Sequence, residues 1–138
     1  MMRTGFGPFQ VAWGDYTSTL AHALLRTLEY TVVSFAGAAI LGLVVALLRL
    51  SPVRIVRLVA AVYTELFKNV PLLAIIFLTY FGLASEGVIL TVFEAGCLSL
   101  VVFYAAYLSE IFRAAISGVH AGQTEAGDRK STRLNSSH

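Results

Sequence analysis

Three groups of residues in this sequence could do chemistry. Glu65, Lys68 and Asn69 stand just ahead of Pro71; Tyr104, Tyr107, Glu110 and Arg113 follow one another at steps of three; Gly122-Gln123 and Glu125-Ala126 come after a long apolar segment. Charged groups set in apolar stretches are expensive to leave against lipid, so they face protein or a watered path. Residues three apart on a helix are neighbours, so Tyr104 to Arg113 predicts a polar ridge on one face, in which Glu110 and Arg113 can pair. That ridge could line a translocation path or hold helices together, and both readings stay open. Glu65, Lys68, Asn69 and Pro71 could form a gate or path lining. The plainer and preferred reading is that they satisfy the backbone carbonyl freed by proline and snorkel to the surface.

Catalytic constellations are absent from the sequence. There is no G-x-x-x-x-G-K-[ST] loop for nucleotide phosphates, no H-E-x-x-H and no C-x-x-C, and His22, His120 and His138 are scattered. A lone Cys97 excludes an internal disulfide and a cysteine-only metal cluster. The chain reads as a non-enzyme with no catalytic residue and no metal site.

The elements that must carry these residues are membrane-like. Of 138 residues, 57% are hydrophobic and 13% charged, against about 25% charged in soluble domains; the mean hydropathy is +0.77. Without Asp128, Arg129, Lys130 and Arg133 the rest carries seven basic and seven acidic residues, so its body has no electrostatic footprint for nucleic acid. The start does not resemble a cleaved signal, because Met1-Met2-Arg3 leads into a mixed segment with Gly5, Gly7, Pro8 and Asp15. Trp13 and Tyr16 suit a membrane–water interface. Tyr30 to Leu48 is 19 residues without a charge, roughly 28 Å of helix and close to a hydrocarbon core. Its small residues Ser34, Gly37, Ala38, Gly42 and Ala46 would let another helix approach closely. Ser51-Pro52 reads as a helix start, and the second segment continues to about Phe81 as one long helix kinked at Pro71. A third segment runs from about Val88 to Ile116. Arg49, Arg54 and Arg57 flank the first connection, whereas Gly82 to Gly87 has no basic residue; the first connection is therefore expected inside and the N-terminus outside.

Two stretches resemble the transmembrane subunits of bacterial ABC importers of the polar amino-acid permease family. The first is Tyr63-Thr64-Glu65-Leu66-Phe67-Lys68-Asn69-Val70-Pro71-Leu72-Leu73. The second is Ala106-Tyr107, Glu110, Arg113, Gly122-Gln123 and Glu125-Ala126, the spacing AY-x-x-E-x-x-R-x(8)-GQ-x-EA. Thr27-Leu28 and Leu50-Ser51-Pro52 fit as well, and the resemblance covers roughly residues 20–126. It implies an all-α membrane protein with three helices (about 28–48, 53–82 and 88–116) of an expected five-helix permease core. Residues 1–25 would form an extracytoplasmic segment and 26–126 a partial transmembrane domain.

The resemblance further implies import of polar amino acids across the bacterial inner membrane, driven by ATP and Mg bound in separate ATP-binding subunits. A second permease subunit, the same or homologous, and an extracytoplasmic solute-binding protein would complete the assembly. Gly122, Gln123, Glu125 and Ala126 would then form the loop that docks on the ATP-binding subunit. Gly122 would end the third helix, and Glu125 would open a short new one. The chain departs from the pattern at Lys68, where the family usually has Arg, at His120 (Pro expected) and at Ala121 (often basic). Gly127 and Ser131 stand where Ala and Gly are expected, and two further spans are missing. The polar residues 127–138, without helical period, look like joined linker sequence, and the chain looks truncated. The alternatives are a small three-span accessory membrane protein without transport activity, and an ABC permease for another small solute.

Overall fold

A computed structural model describes the backbone of residues 13–135 and the side chains of residues 16–119. Residues 1–12 of the expected extracytoplasmic segment, the Trp13 side chain and residues 136–138 lie outside the described residues. So do the side chains of Gln123, Glu125 and Ala126 in the expected docking loop.

The chain is all-α among the described residues. Helix α1 spans Trp13–Arg49, starting well before the expected residue 28. The uncharged run Tyr30 to Leu48 covers only part of it, and nothing upstream stops a helix. No proline falls between Trp13 and Arg49, and the charged pair Arg26–Glu29 closes on itself at 2.9 Å across i, i+3. Thr27 and Thr31 return their hydroxyls to the carbonyls of Ala23 and Thr27, at 2.9 and 2.7 Å, so neither is left unsatisfied. Pro52 ends the run, since the residue before proline avoids the α region. Helix α2 spans Arg54–Asn69, two residues after the expected Pro52 start. Ser51 Oγ accepts the Val53 N–H at 3.2 Å.

The second segment is not one kinked helix. Helix α2 stops at Asn69, and the chain resumes as α3 (Leu72–Phe77), a π-helical turn (Leu78–Gly82) and α4 (Leu83–Ser85). The two halves are bent by 106°. Proline alone gives a kink; here Val70 and Pro71 both adopt extended ψ values of 131° and 136°, so the direction reverses rather than deflects. After α4 the chain turns at Gly87, whose φ of +87° suits a residue without Cβ. Val88 N–H bonds Leu83 O at 2.9 Å and Gly87 N–H bonds Ala84 O at 3.1 Å, a left-handed helix cap.

Helix α5 runs from Val92 to Asn135. Its start is set by Thr91 and Glu94: the carboxylate accepts both the Thr91 N–H and hydroxyl at 2.8 Å, while Thr91 Oγ1 accepts the Glu94 N–H at 3.2 Å. This capping box gives Glu94 a role that its position in the sequence did not suggest. At the other end the expectation fails. Gly122 does not end the helix, no new helix opens at Glu125, and the polar residues 127–135 are helical. No proline follows Gly122, and Gln123, Glu125, Ala126, Arg129 and Lys130 are good helix formers. The basic residues also lie toward the C-terminal, negative end of the dipole.

The main packing is α1 on α5. Ala38, Gly42 and Ala46, at steps of four along α1, are buried, as are Ala105, Ala106 and Ser109 of α5. A Cβ added at Gly42 would lie 2.8 Å from Leu108 Cβ, 3.1 Å from the Ala105 carbonyl oxygen and 3.3 Å from the Ser109 nitrogen. The two backbones therefore touch there, the close approach that small residues permit between helices in lipid. At the opposite end the Tyr30 ring lies over Gly96 and against Phe93, with centroids 4.6 Å apart. α1 and the first part of α5 are long and apolar enough to cross a membrane; the bent α2–α4 unit makes a third span if its two halves count as one. Large apolar side chains on all of these helices remain exposed.

Candidate functional site

The break after Asn69 leaves the last carbonyls of α2 without intrahelical donors, and α5 supplies what the break removes. The Tyr107 hydroxyl donates to the Lys68 carbonyl at 3.3 Å. One side-chain length away, Lys68 Nζ donates to Glu110 Oε2 at 2.8 Å. Arg49, at the end of α1, approaches the other carboxylate oxygen, its Nη1 3.5 Å from Oε1. One carboxylate thus ties three helices at the same level, with Lys68 as the close partner. Charge-assisted bonds of this kind are the stronger ones, and among apolar helices they fix which faces meet.

Two further contacts hold α2 against α5 beneath this node. Thr64 and Ser109, both fully buried, place their hydroxyl oxygens 3.3 Å apart. Each hydroxyl also lies within bonding distance of a carbonyl of its own helix, Thr64 of Ala60 O at 3.0 Å and Ser109 of Ala106 O at 2.7 Å, so one hydroxyl proton is shared between the cross-helix contact and its own helix. The Tyr63 hydroxyl donates to Val102 O at 2.7 Å, and its ring lies against Phe67, centroids 4.9 Å apart.

Of the expected site residues, the structure brings Lys68, Tyr107 and Glu110 together across α2 and α5. Glu65 and Asn69 do not join them. Asn69 Nδ2 donates back to the Glu65 carbonyl at 2.6 Å, and both residues line an exposed groove on α2 with Leu58 and Leu66. Pro71 acts through the backbone, as the origin of the break. The expected Glu110–Arg113 pair does not form, because Lys68 and Arg49 occupy the carboxylate.

The ridge also does not stay on one face. Steps of three fall short of a full turn by about 60° each, so Tyr104 and Arg113 diverge. Tyr104 looks into a cavity of about 570 Å³ between α1 and α5, with Thr27, Tyr30, Thr31 and Ser34; the buried Ser34 Oγ has no partner there. Arg113 instead joins Arg49, Arg54 and Arg57 around a cavity of about 530 Å³.

Sequence reasoning missed Arg49, Thr64 and Ser109 as members of this constellation. The signal for Arg49 was present, a basic residue in the last turn of the first apolar segment, but it was read only for orientation. Thr64 and Ser109 carried no signal; their meaning depends on each other.

Comparison with known proteins identifies relatives of the chain. No protein-family profile matches the chain. It is 36% identical over 112 residues to a protein of Bacillus subtilis (strain 168) named "Probable glutamine ABC transporter permease protein GlnM", a match covering 81% of this chain and 52% of that protein. It is 32% identical over 126 residues to the "Glutamate transport system permease protein GluC" of Corynebacterium efficiens, covering 83% of this chain and 55% of the other. Among solved structures, it superposes with a TM-score of 0.70 and 33% identity on a crystal structure of an amino acid ABC transporter with histidines, covering 83% of this chain and 56% of that one. The chain spans about half the length of the curated relatives that it matches.

Proposed function

We propose that this chain, which belongs to the amino-acid ABC transporter permeases, forms part of an importer that moves polar amino acids across the bacterial inner membrane at the expense of ATP. The observation that carries the reading is the similarity to amino-acid permeases. Identity of 32–36% extends over about four fifths of the chain. Of the permease-like pattern, Lys68, Tyr107 and Glu110 meet across two helices, while Glu65, Asn69 and Arg113 lie elsewhere.

In this reading the chain hydrolyses nothing; ATP and Mg bind in separate subunits. A second permease subunit and an extracytoplasmic solute-binding protein complete the assembly. The N-terminus faces outward, and the Arg49–Arg57 connection and the end of α5 face the cytoplasm, where basic residues concentrate. Gly122, Gln123, Glu125 and Ala126 contact the ATP-binding subunit, now as part of a continuous α5 rather than a separate short helix. A rigid helix that reaches from that contact to the Lys68–Glu110 node can pass nucleotide-driven movement to the α2–α3 break, a coupling between two sites. Tyr104, Tyr107, Glu110 and Arg113 are the polar groups nearest any path on α5, and polar groups in spans are the first candidates for that role. The solute itself belongs to the glutamine and glutamate class, by likeness to the relatives.

The test is co-purification. The gene's complete reading frame is expressed with an ATP-binding subunit of the same operon, with and without Glu125→Arg. Recovery of a complex that the substitution abolishes supports the reading; a chain that never associates with an ATP-binding subunit overturns it.

A further inference from the structure

One cavity gathers arginines that the importer reading uses only singly, for orientation and as a path candidate. Arg49, Arg54, Arg57 and Arg113 surround about 530 Å³ at the junction of α1, α2 and α5, with Leu58 and Ala61 as its apolar floor. Four guanidiniums gathered in one cavity repel one another unless an anion sits between them. The nearest described carboxylate is Glu110, 3.5 Å from Arg49 and held on its other side by Lys68 at 2.8 Å; Glu65 lines the adjoining groove. Among the described residues Arg54, Arg57 and Arg113 make no ion pair, and Arg57 donates only to the Ser51 carbonyl, at 3.3 Å. The Arg113 Nε is buried and has no hydrogen-bond partner; closed to a water-sized probe, it faces protein, and other atoms of the Arg113 side chain line the cavity.

We propose that this four-arginine cavity is a phosphate-binding site, filled by the headgroup of an anionic phospholipid or by a soluble phosphate. Guanidinium forks match phosphate oxygens in pairs, whereas a solvated halide would leave the forks unsatisfied. The location favours the lipid source: the cavity opens beside the exposed apolar side chains Val53, Ile55 and Leu58, where a headgroup could sit with its tails along the helices. The inference is independent of the transport reading, since it uses only the charges and their geometry.

The experiment uses the full chain purified in a neutral detergent. Native mass spectrometry compares retention of phosphatidylglycerol with phosphatidylcholine, and calorimetry measures inorganic phosphate binding in phosphatidylcholine nanodiscs. Arg113→Gln removes one of the four lining charges, and Arg54→Gln, whose side chain is exposed and unpaired, tests the site without risk to the fold. Phosphatidylglycerol is expected to be retained about tenfold over phosphatidylcholine and to lose about tenfold with either substitution, the size of one charge-assisted bond. Phosphatidylglycerol binding alone assigns the lipid, and phosphate binding alone assigns the soluble anion; both support a phosphate site. Equal retention of the two lipids with no phosphate binding, or binding that neither substitution weakens, overturns it.

Discussion

The contact at Gly42 yields a prediction whose magnitude follows from the geometry. Gly42→Ala and Gly118→Ala are the same chemical change on two helices, so both gain the roughly 1 kcal/mol by which Ala exceeds Gly in a helix. They differ in what the new methyl meets. At Gly118 nothing lies within 4 Å, whereas at Gly42 the methyl would stand 2.8 Å from Leu108 Cβ and 3.1 Å from the Ala105 carbonyl. Both neighbours are rigid parts of α5, so relief requires the helices to part, at the usual overpacking cost of about 1–3 kcal/mol. Cys97 reports the parting. It is the one cysteine in the chain, it is buried, and it shares the face of α5 on which Val101 meets Gly37 and Ala105 meets Gly42. If Cys97 reacts with a maleimide only when α1 lifts from α5, its labelling is faster in Gly42→Ala than in Gly118→Ala by about 5–150-fold. Equal labelling of the two variants would show that α1 does not press on α5 at this point, and the packing argument fails.

Three other outcomes follow from the node. Lys68→Glu and Glu110→Lys should each reduce thermal stability in detergent, and the double exchange should restore only part of the loss, because position 110 then repels Arg49; a double variant as unstable as the sum of the singles rejects the pair. Thr64→Cys with Ser109→Cys should cross-link readily under mild oxidation in isolated membranes, since the hydroxyl oxygens they replace are 3.3 Å apart, while Thr64→Cys with Leu98→Cys should not. Tyr63→Phe should cost about 1 kcal/mol and Tyr107→Phe less, because the first removes a 2.7 Å bond and the second a 3.3 Å one; the reverse order in unfolding titrations contradicts the geometry.

What the sequence made legible were properties that travel with local composition. The uncharged run Tyr30–Leu48 located a span, and Ser34, Gly37, Ala38, Gly42 and Ala46 announced a close helix contact without saying with which helix. Pro71 marked the interruption, but not the 106° turn, which depends on two consecutive extended residues and on Tyr63 and Tyr107 tethering the broken end to α5. The helix boundaries were less legible, since hydropathy measures what lipid accepts and helices extend past it, as α1 does back to Trp13 and α5 does through Gly122. The site failed where a local partner competed with a distant one. Glu110 sits three residues from Arg113 and 42 from Lys68, yet it bonds Lys68. Spacing along one helix reveals who could meet, and only the packing of α2 on α5 decides who does.

The central claim, that this chain is the membrane part of an ATP-driven amino-acid importer, is tested most directly by transport. The complete gene product is reconstituted in proteoliposomes with its ATP-binding subunit, second permease subunit and binding protein, and uptake of labelled glutamine and glutamate is followed. The account predicts uptake of at least one of them that requires ATP and is lost with Glu110→Lys. Uptake indifferent to ATP, or an assembled complex with no uptake of any polar amino acid, would contradict it.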